Sequence, residues 1–270
     1  MISNFGTKDV ENMDREKILN PFEQRQRIRN GLDNRPSSGM CDGYTQGNLV
    51  ILPKTYAFDF LLFCHRNLKP CPLIDVLEPG EKKPNIADAD ICTDISRYRI
   101  FKNGELVEEV EDITSYWQDD LVTFLIGCSN TFERALLKEG IEILYRDAGN
   151  NVAMYTTSIP TNSAGVFKGP LVVSMRPVKK DKLVAAVEIT AKFPHTHGAP
   201  VHIGDPSVLG IKDLEKPDFG DFTPYDPDEY VPVFWACGVT PQAVAMASKP
   251  AFMITHAPGY MFISDKEEPI

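Results

Sequence analysis

Val122-Thr123-Phe124-Leu125-Ile126-Gly127-Cys128-Ser129-Asn130-Thr131-Phe132-Glu133 and Val231-Pro232-Val233-Phe234-Trp235-Ala236-Cys237-Gly238-Val239-Thr240-Pro241-Gln242 decide how this chain is read. In each, an apolar run ends in a small residue and a cysteine, then opens into a helix-like stretch, with Glu133 and Gln242 five residues beyond their cysteines. A buried strand that turns sharply into a helix aims unpaired backbone N–H groups and a positive dipole end at whatever lies above it, preferably an anion. The echo predicts two such turns facing one pocket.

Outward from these turns, Asn20-Pro21 with Phe22, Ile28 and Leu32 predicts a short helix stopped near Gly31. Asn48–Leu52 reads as a buried strand ended by Pro53, and Tyr56–Arg66 as a buried helix broken only by Asp59 and His65. Asn103-Gly104 between Tyr98–Phe101 and Leu106–Val110 marks the clearest hairpin, because this pair supplies the left-handed turn conformations. Beyond Asn151, strands at Val152–Ile159, Leu171–Met175 and Val201–Ile203 with an amphipathic helix at Lys180–Lys192 predict a small α+β module. It is placed at residues 141–215, inserted between the Cys turns, which then belong to one larger α/β layer structure formed by 1–140 and 216–270.

With 270 residues there is enough chain for one large domain or two modest ones, and the net charge of -10 argues against nucleic acid or an anionic membrane as the main partner. Small acids remain compatible through a locally positive pocket. Lacking a charged segment followed by an apolar core at its start, and any apolar run of about 20 residues, the sequence is expected to be soluble and cytoplasmic. Cys41, Cys64, Cys71, Cys92, Cys128 and Cys237 form no Cys-x-x-Cys pair and read as free thiols packed as small hydrophobes.

Gly43-Tyr44-Thr45-Gln46-Gly47-Asn48-Leu49-Val50-Ile51-Leu52-Pro53 and Ala57–Cys64 closely resemble the D-glutamate cyclase-like family of hydro-lyases. The likeness recurs at Cys71-Pro72-Leu73, both Cys turns, Val173-Ser174-Met175-Arg176-Pro177, His197–Pro206 and Ile254–Gly259, covering nearly all of 20–265, with Thr45 and Gly47 as departures. It implies an α/β fold with a three-layer α/β/α unit and a smaller two-layer unit. It also implies a carbon-oxygen lyase acting on a small amino or hydroxy carboxylic acid, the characterised relative converting D-glutamate to 5-oxo-D-proline with loss of water.

Such a reaction needs two carboxylates held, an amine deprotonated and an oxyanion stabilised. Backbone amides at Cys128-Ser129-Asn130 and Gly238-Val239-Thr240, with the Ser129 and Thr240 hydroxyls, are the candidate cradle; the alternative is a pair of ordinary N-caps. The cysteines are read as packing, not as nucleophiles. His256, at the end of an apolar run, is the first choice for general base, against a histidine packed under the Ala257-Pro258-Gly259 turn. His197 and His202 are candidates for proton transfer, and with His195 and Asp205 they admit a competing reading as the divalent-metal site of a hydrolase. Arg176, interrupting an apolar strand, is either a substrate anchor or half of an ion pair, the anchor being preferred. Glu133 is read as complementing the helix dipole in preference to orienting a ligand together with Gln242, and Asn48, Gln46 and Tyr44 as polar groups beside a buried strand that hold backbone loops, the preferred reading, or face substrate. The catalytic set is thus His256, His202 and His197, and the substrate-binding set Ser129, Cys128, Gly238, Thr240, Arg176 and Asn48. A non-catalytic organic-acid-binding module is the third reading, and homo-oligomerisation is left open.

Overall fold

The computed structural model describes residues 19–268, apart from the side chains of Gln242, Ala245 and Met246. Two antiparallel sheets organise it. The larger runs β2 (Leu73–Val76), β5 (Leu121–Gly127), β1 (Tyr44–Pro53), β10 (Phe252–His256), β3 (Tyr98–Lys102) and β4 (Glu105–Val110), with β11 (Phe262–Glu267) also paired to β1. The smaller runs β6 (Ala153–Pro160), β7 (Pro170–Lys179), β9 (Tyr230–Ala236) and β8 (His202–Ile203). Strand β1 is central because its buried run from Thr45 to Leu52 serves both faces: Leu49 and Ile51 point to one core, Val50 and Leu52 to the other.

Each sheet carries helix on one side and irregular chain on the other. The first packs Phe60 and Phe63 of α2 (Lys54–Arg66) against Val50, Leu52 and Phe124, and covers Leu49, Ile51 and Ile254 with Leu77, Ile91, Ile95 and Ile113. The second packs Phe132 and Leu136 of α3 (Asn130–Lys138) and Ala186 of α5 (Leu183–Ala191) against Val172, Val233 and Trp235. On its other face Tyr155, Val173 and Phe234 meet Leu209 and Ile211. The remaining helices are α1 (Pro21–Arg29), α4 (Leu144–Asp147) and α6 (Thr240–Ser248).

One expectation changes. Strand β9, assigned from sequence to the larger layer, pairs with β7 over seven positions from Val173↔Ala236 to Lys179↔Tyr230. Its residues are buried in alternation on both faces of the smaller sheet, Val233 and Trp235 on one and Phe234 and Ala236 on the other. The two Cys turns therefore end strands of different sheets. α3 leaves the larger sheet and packs on the smaller, while α6 bridges the two, with Ala243 in the smaller sheet's core and Val244 in the larger's.

All six cysteines are free and buried. Among the described residues no helix is long and apolar enough to cross a membrane.

Candidate functional site

The two turns meet at Asn48. Its side-chain Nδ2 donates to the Gly127 carbonyl at 3.0 Å and the Ile126 carbonyl at 3.3 Å. A Cβ on Gly238 would stand 1.9 Å from that same nitrogen, so the glycine is what lets the second turn close on Asn48 without displacing its side chain. Gly127 is constrained more rigidly on its other side, where a Cβ would stand 1.9 Å from the main-chain carbonyl oxygen of His195. The backbone echo is real at the sulfurs: the Val239 N–H lies 3.5 Å from Cys237 Sγ, and the Asn130 N–H acts in the same way on Cys128.

The hydroxyls differ. Ser129 precedes α3 but makes no capping bond; its Oγ accepts from Arg176 Nη2 at 3.0 Å. Thr240 is tied into its own turn, accepting from the Val172 N–H at 3.2 Å and donating to the Cys237 carbonyl at 2.7 Å. Of the two, Ser129 keeps its proton uncommitted to the protein backbone.

Beneath Ser129 lies a buried charge pair. Arg176 Nε and Nη2 donate to Glu133 Oε1 at 2.9 and 2.5 Å, and Nη1 donates to Ser174 at 3.1 Å. Tyr145 donates to the same Glu133 oxygen at 2.6 Å and is joined at 2.9 Å to Ser38, while Arg146 lies 3.6 Å from Glu133 Oε2. The guanidinium is enclosed by the rings of Phe132, Tyr145 and Trp235, 5.4 to 5.7 Å from its carbon. Both partners are out of solvent, so each stabilises a charge that alone would be expensive to bury. Arg176, preferred from sequence as a substrate anchor, is thus half of an ion pair, and Glu133, read as a dipole complement, is the other half. Gln242, the echo of Glu133, lies outside the described side chains.

The histidines separate. His197, buried and at φ 84°, hydrogen-bonds the Lys69 carbonyl at 2.8 Å and its ring also reaches the Gly127 carbonyl. His256 accepts from the Leu49 N–H at 3.1 Å, one residue along β1 from Asn48. Burial pushes both imidazoles down to about 4, with the Arg176 charge adding to the effect at His197, so both are neutral at pH 7. His202 stays on edge strand β8, bonded at 2.7 Å to the Asp205 carbonyl, with its ring against Phe234. His195 bonds Glu268 at 2.7 Å, and Thr45 donates to the other oxygen of that carboxylate. The Asp205 carboxylate caps Ser207. The proposed metal ligands therefore turn to four different partners, and no group of three or more His, Cys, Asp or Glu able to hold a metal occurs among the described residues.

Burial raises the Cys128 thiol to about 12 and the Cys237 thiol to about 11, with Arg176 pulling back only in part. Both remain protonated, the wrong state for a nucleophile. Sequence reading weighed Gln46, Glu133 and Arg176 separately and missed that they build one polar floor with Tyr145 and Ser37. Ser37 and Asn130 both donate to Gln46 Oε1, and the Gln46 amide donates to the Ser37 and Met40 carbonyls. The local signals were an arginine in an apolar strand, Glu133 on the first helical turn and Gln46 in the strand with Asn48; Tyr145 and Ser38 gave none, because their partners lie 12 and 107 residues away.

The chain is thus a mixed α/β protein of two antiparallel sheets that join at a buried polar site between two strand-to-helix turns. The sequence profile described as D-glutamate cyclase matches residues 122–265. A Stutzerimonas stutzeri (strain A1501) protein named "Putative hydro-lyase" is 56% identical over 249 residues, 92% of this chain and 94% of that one. The Bacillus subtilis (strain 168) "Putative hydro-lyase YcsI" is 57% identical over 247 residues, 91% and 96% of the two chains. This chain belongs to the D-glutamate cyclase family. A solved nitrogen repressor-like protein from Methanococcus jannaschii aligns at a TM-score of 0.37 and 10% identity over 87% of this chain and 92% of that one, too low to define a shared fold.

Proposed function

We propose that the protein is a hydro-lyase for a small amino or hydroxy carboxylic acid, with cyclodehydration of D-glutamate to 5-oxo-D-proline as the first reaction to test. The observation that carries this reading is the convergence of two helix N-termini on Asn48, whose positive dipole ends favour a carboxylate or oxyanion in a water-poor setting; the N–H groups of Cys128, Asn130, Val239 and Thr240 are spent within the turns, which leaves those of Ser129 and Gly238 as the donors. Family membership and the names of the relatives support the same class.

In the cyclisation the substrate amine forms a bond to the side-chain carboxyl carbon, one carbon-oxygen bond breaks, and that oxygen leaves as water with protons from the amine. The amides and the Ser129 hydroxyl would hold the developing oxyanion. A neutral imidazole would take the amine proton, His256 or His197 being the buried candidates. A pKa near 4 makes a weak base; a carboxylate bound beside the imidazole raises it by favouring the charged form. His202 does not share this setting, since its ring is committed at the sheet edge.

The test is incubation with a panel of D- and L-amino acids and hydroxy acids, with and without divalent metal, following loss of one water by mass spectrometry. Conversion that survives chelation and is lost in His256→Ala or His197→Ala is the expected result. Absence of 5-oxoproline removes the cyclase assignment; absence of dehydration across the panel removes the lyase assignment.

A further inference from the structure

We infer that Arg176 is a positioning residue for Ser129 and not a ligand anchor, with Glu133 fixing its orientation and limiting the positive field at the site. This rests on the reading of the two turns as a carboxylate site. Arginine has no acceptor, so the 3.0 Å bond from Nη2 makes Ser129 Oγ the acceptor and sends the single hydroxyl proton elsewhere. A donor whose oxygen already receives a charged N–H is polarised and gives a stronger hydrogen bond onward. The guanidinium has little left to offer a ligand: all three nitrogens are engaged by Glu133, Ser174 and Ser129, and three aromatic rings close its faces.

The field of the guanidinium nonetheless reaches both turns and His197. It favours the thiolate forms of Cys128 and Cys237 against burial, and adds to burial in disfavouring imidazolium at His197. Glu133 opposes that field through one heavily used oxygen, Oε1, which accepts from Arg176 and Tyr145, while Oε2 has no hydrogen-bond partner. The second turn has no equivalent, since Thr240 spends its hydroxyl on its own backbone.

The experiment measures binding of D-glutamate and of succinate by calorimetry. The proteins are wild type, Ser129→Ala, Glu133→Gln, the charge-balanced double Glu133→Gln/Arg176→Gln, and the triple that adds Ser129→Ala, each checked for folding by thermal melting. Ser129→Ala is expected to weaken binding about tenfold in the wild-type background and less than about threefold in the double, because the hydroxyl there lacks its polarising partner. Glu133→Gln keeps an acceptor oxygen and is expected to tighten binding about threefold, a gain that a purely structural glutamate would not produce. Equal losses from Ser129→Ala in both backgrounds, or weaker binding by folded Glu133→Gln, overturn the inference alone. A wild-type protein that binds neither acid overturns the carboxylate-site reading and the inference with it; the double and triple variants keep the test valid if Glu133→Gln fails to fold.

Discussion

The two Cys turns share a backbone and differ in chemistry. Both follow a buried strand, both bring an amide N–H to a cysteine sulfur, and both need glycine where chain closes on chain. Yet the first turn rests on a polar floor of Arg176, Glu133, Tyr145 and Gln46, whereas the second is sealed by Thr240 against Val172 and Cys237. A repeated sequence pattern thus reports a repeated backbone path, and the side chains brought in from elsewhere give the two copies different chemical surroundings.

The largest expected effect separates the copies by charge. Glu133→Ala leaves the Arg176 guanidinium buried without its carboxylate and should lower unfolding free energy by about 3–5 kcal/mol in denaturant titration. A loss below about 1 kcal/mol would mean that Arg146, Tyr145 or water takes over, and the floor would no longer distinguish the first turn.

The glycines come next. Gly127→Ala meets main chain, the His195 carbonyl, which cannot swing aside, and should cost about 3 kcal/mol. Gly238→Ala meets the Asn48 side chain, which can move, and should cost about 1–2 kcal/mol, partly recovered when Asn48→Ala is added. Equal costs, or no recovery in the double variant, would break the contrast between a backbone-locked turn and a side-chain-locked one.

Acid should act through the histidines. His197 and His256 have folded values near 4, below their ordinary 6.5, so between these pH values the unfolded chain binds more protons than the folded one. Stability therefore falls as pH drops from about 6.5 to 4, by up to about 3 kcal/mol per histidine, and levels off below. His197→Gln should flatten the part of that profile belonging to the first turn, and an unchanged profile would show that its imidazole titrates normally.

The smallest effects exchange roles between the hydroxyls. Thr240→Val should cost about 1–2 kcal/mol of stability with little change in ligand affinity, since its hydroxyl is spent on its own backbone. Ser129→Ala should do the reverse, costing less than about 1 kcal/mol in stability while weakening the ligand. Calorimetry and melting on the same pair of variants would expose any reversal.

Much of this was readable in the chain. Apolar runs marked β1 and β9, alternation marked β6 with β7 read as a second strand beside it, Asn103-Gly104 marked the β3–β4 hairpin, and the paired cysteines marked both turns, because these are local consequences of burial and backbone geometry. Asn48, Ser129, Cys128, Gly238 and His197 were selected from sequence and lie at or against the turns. His202 was selected for its crowded neighbourhood and lies apart, since neighbours in sequence at His195, His197 and His202 leave in different directions once a left-handed residue and an edge strand intervene.

By itself the sequence determined the strands, the turns and the family, because hydrophobic period, Gly placement and motif order are written within a few residues of one another. Only the tertiary structure decided that β9 joins the smaller sheet, that Arg176 meets Glu133 across 43 residues, and that the Ser129 hydroxyl accepts from Arg176 while that of Thr240 donates to the Cys237 carbonyl. The physical reason is that an apolar strand fits either sheet and a buried charge accepts any partner of opposite sign. Which sheet and which partner are settled by the whole packed chain, not by the residues on either side.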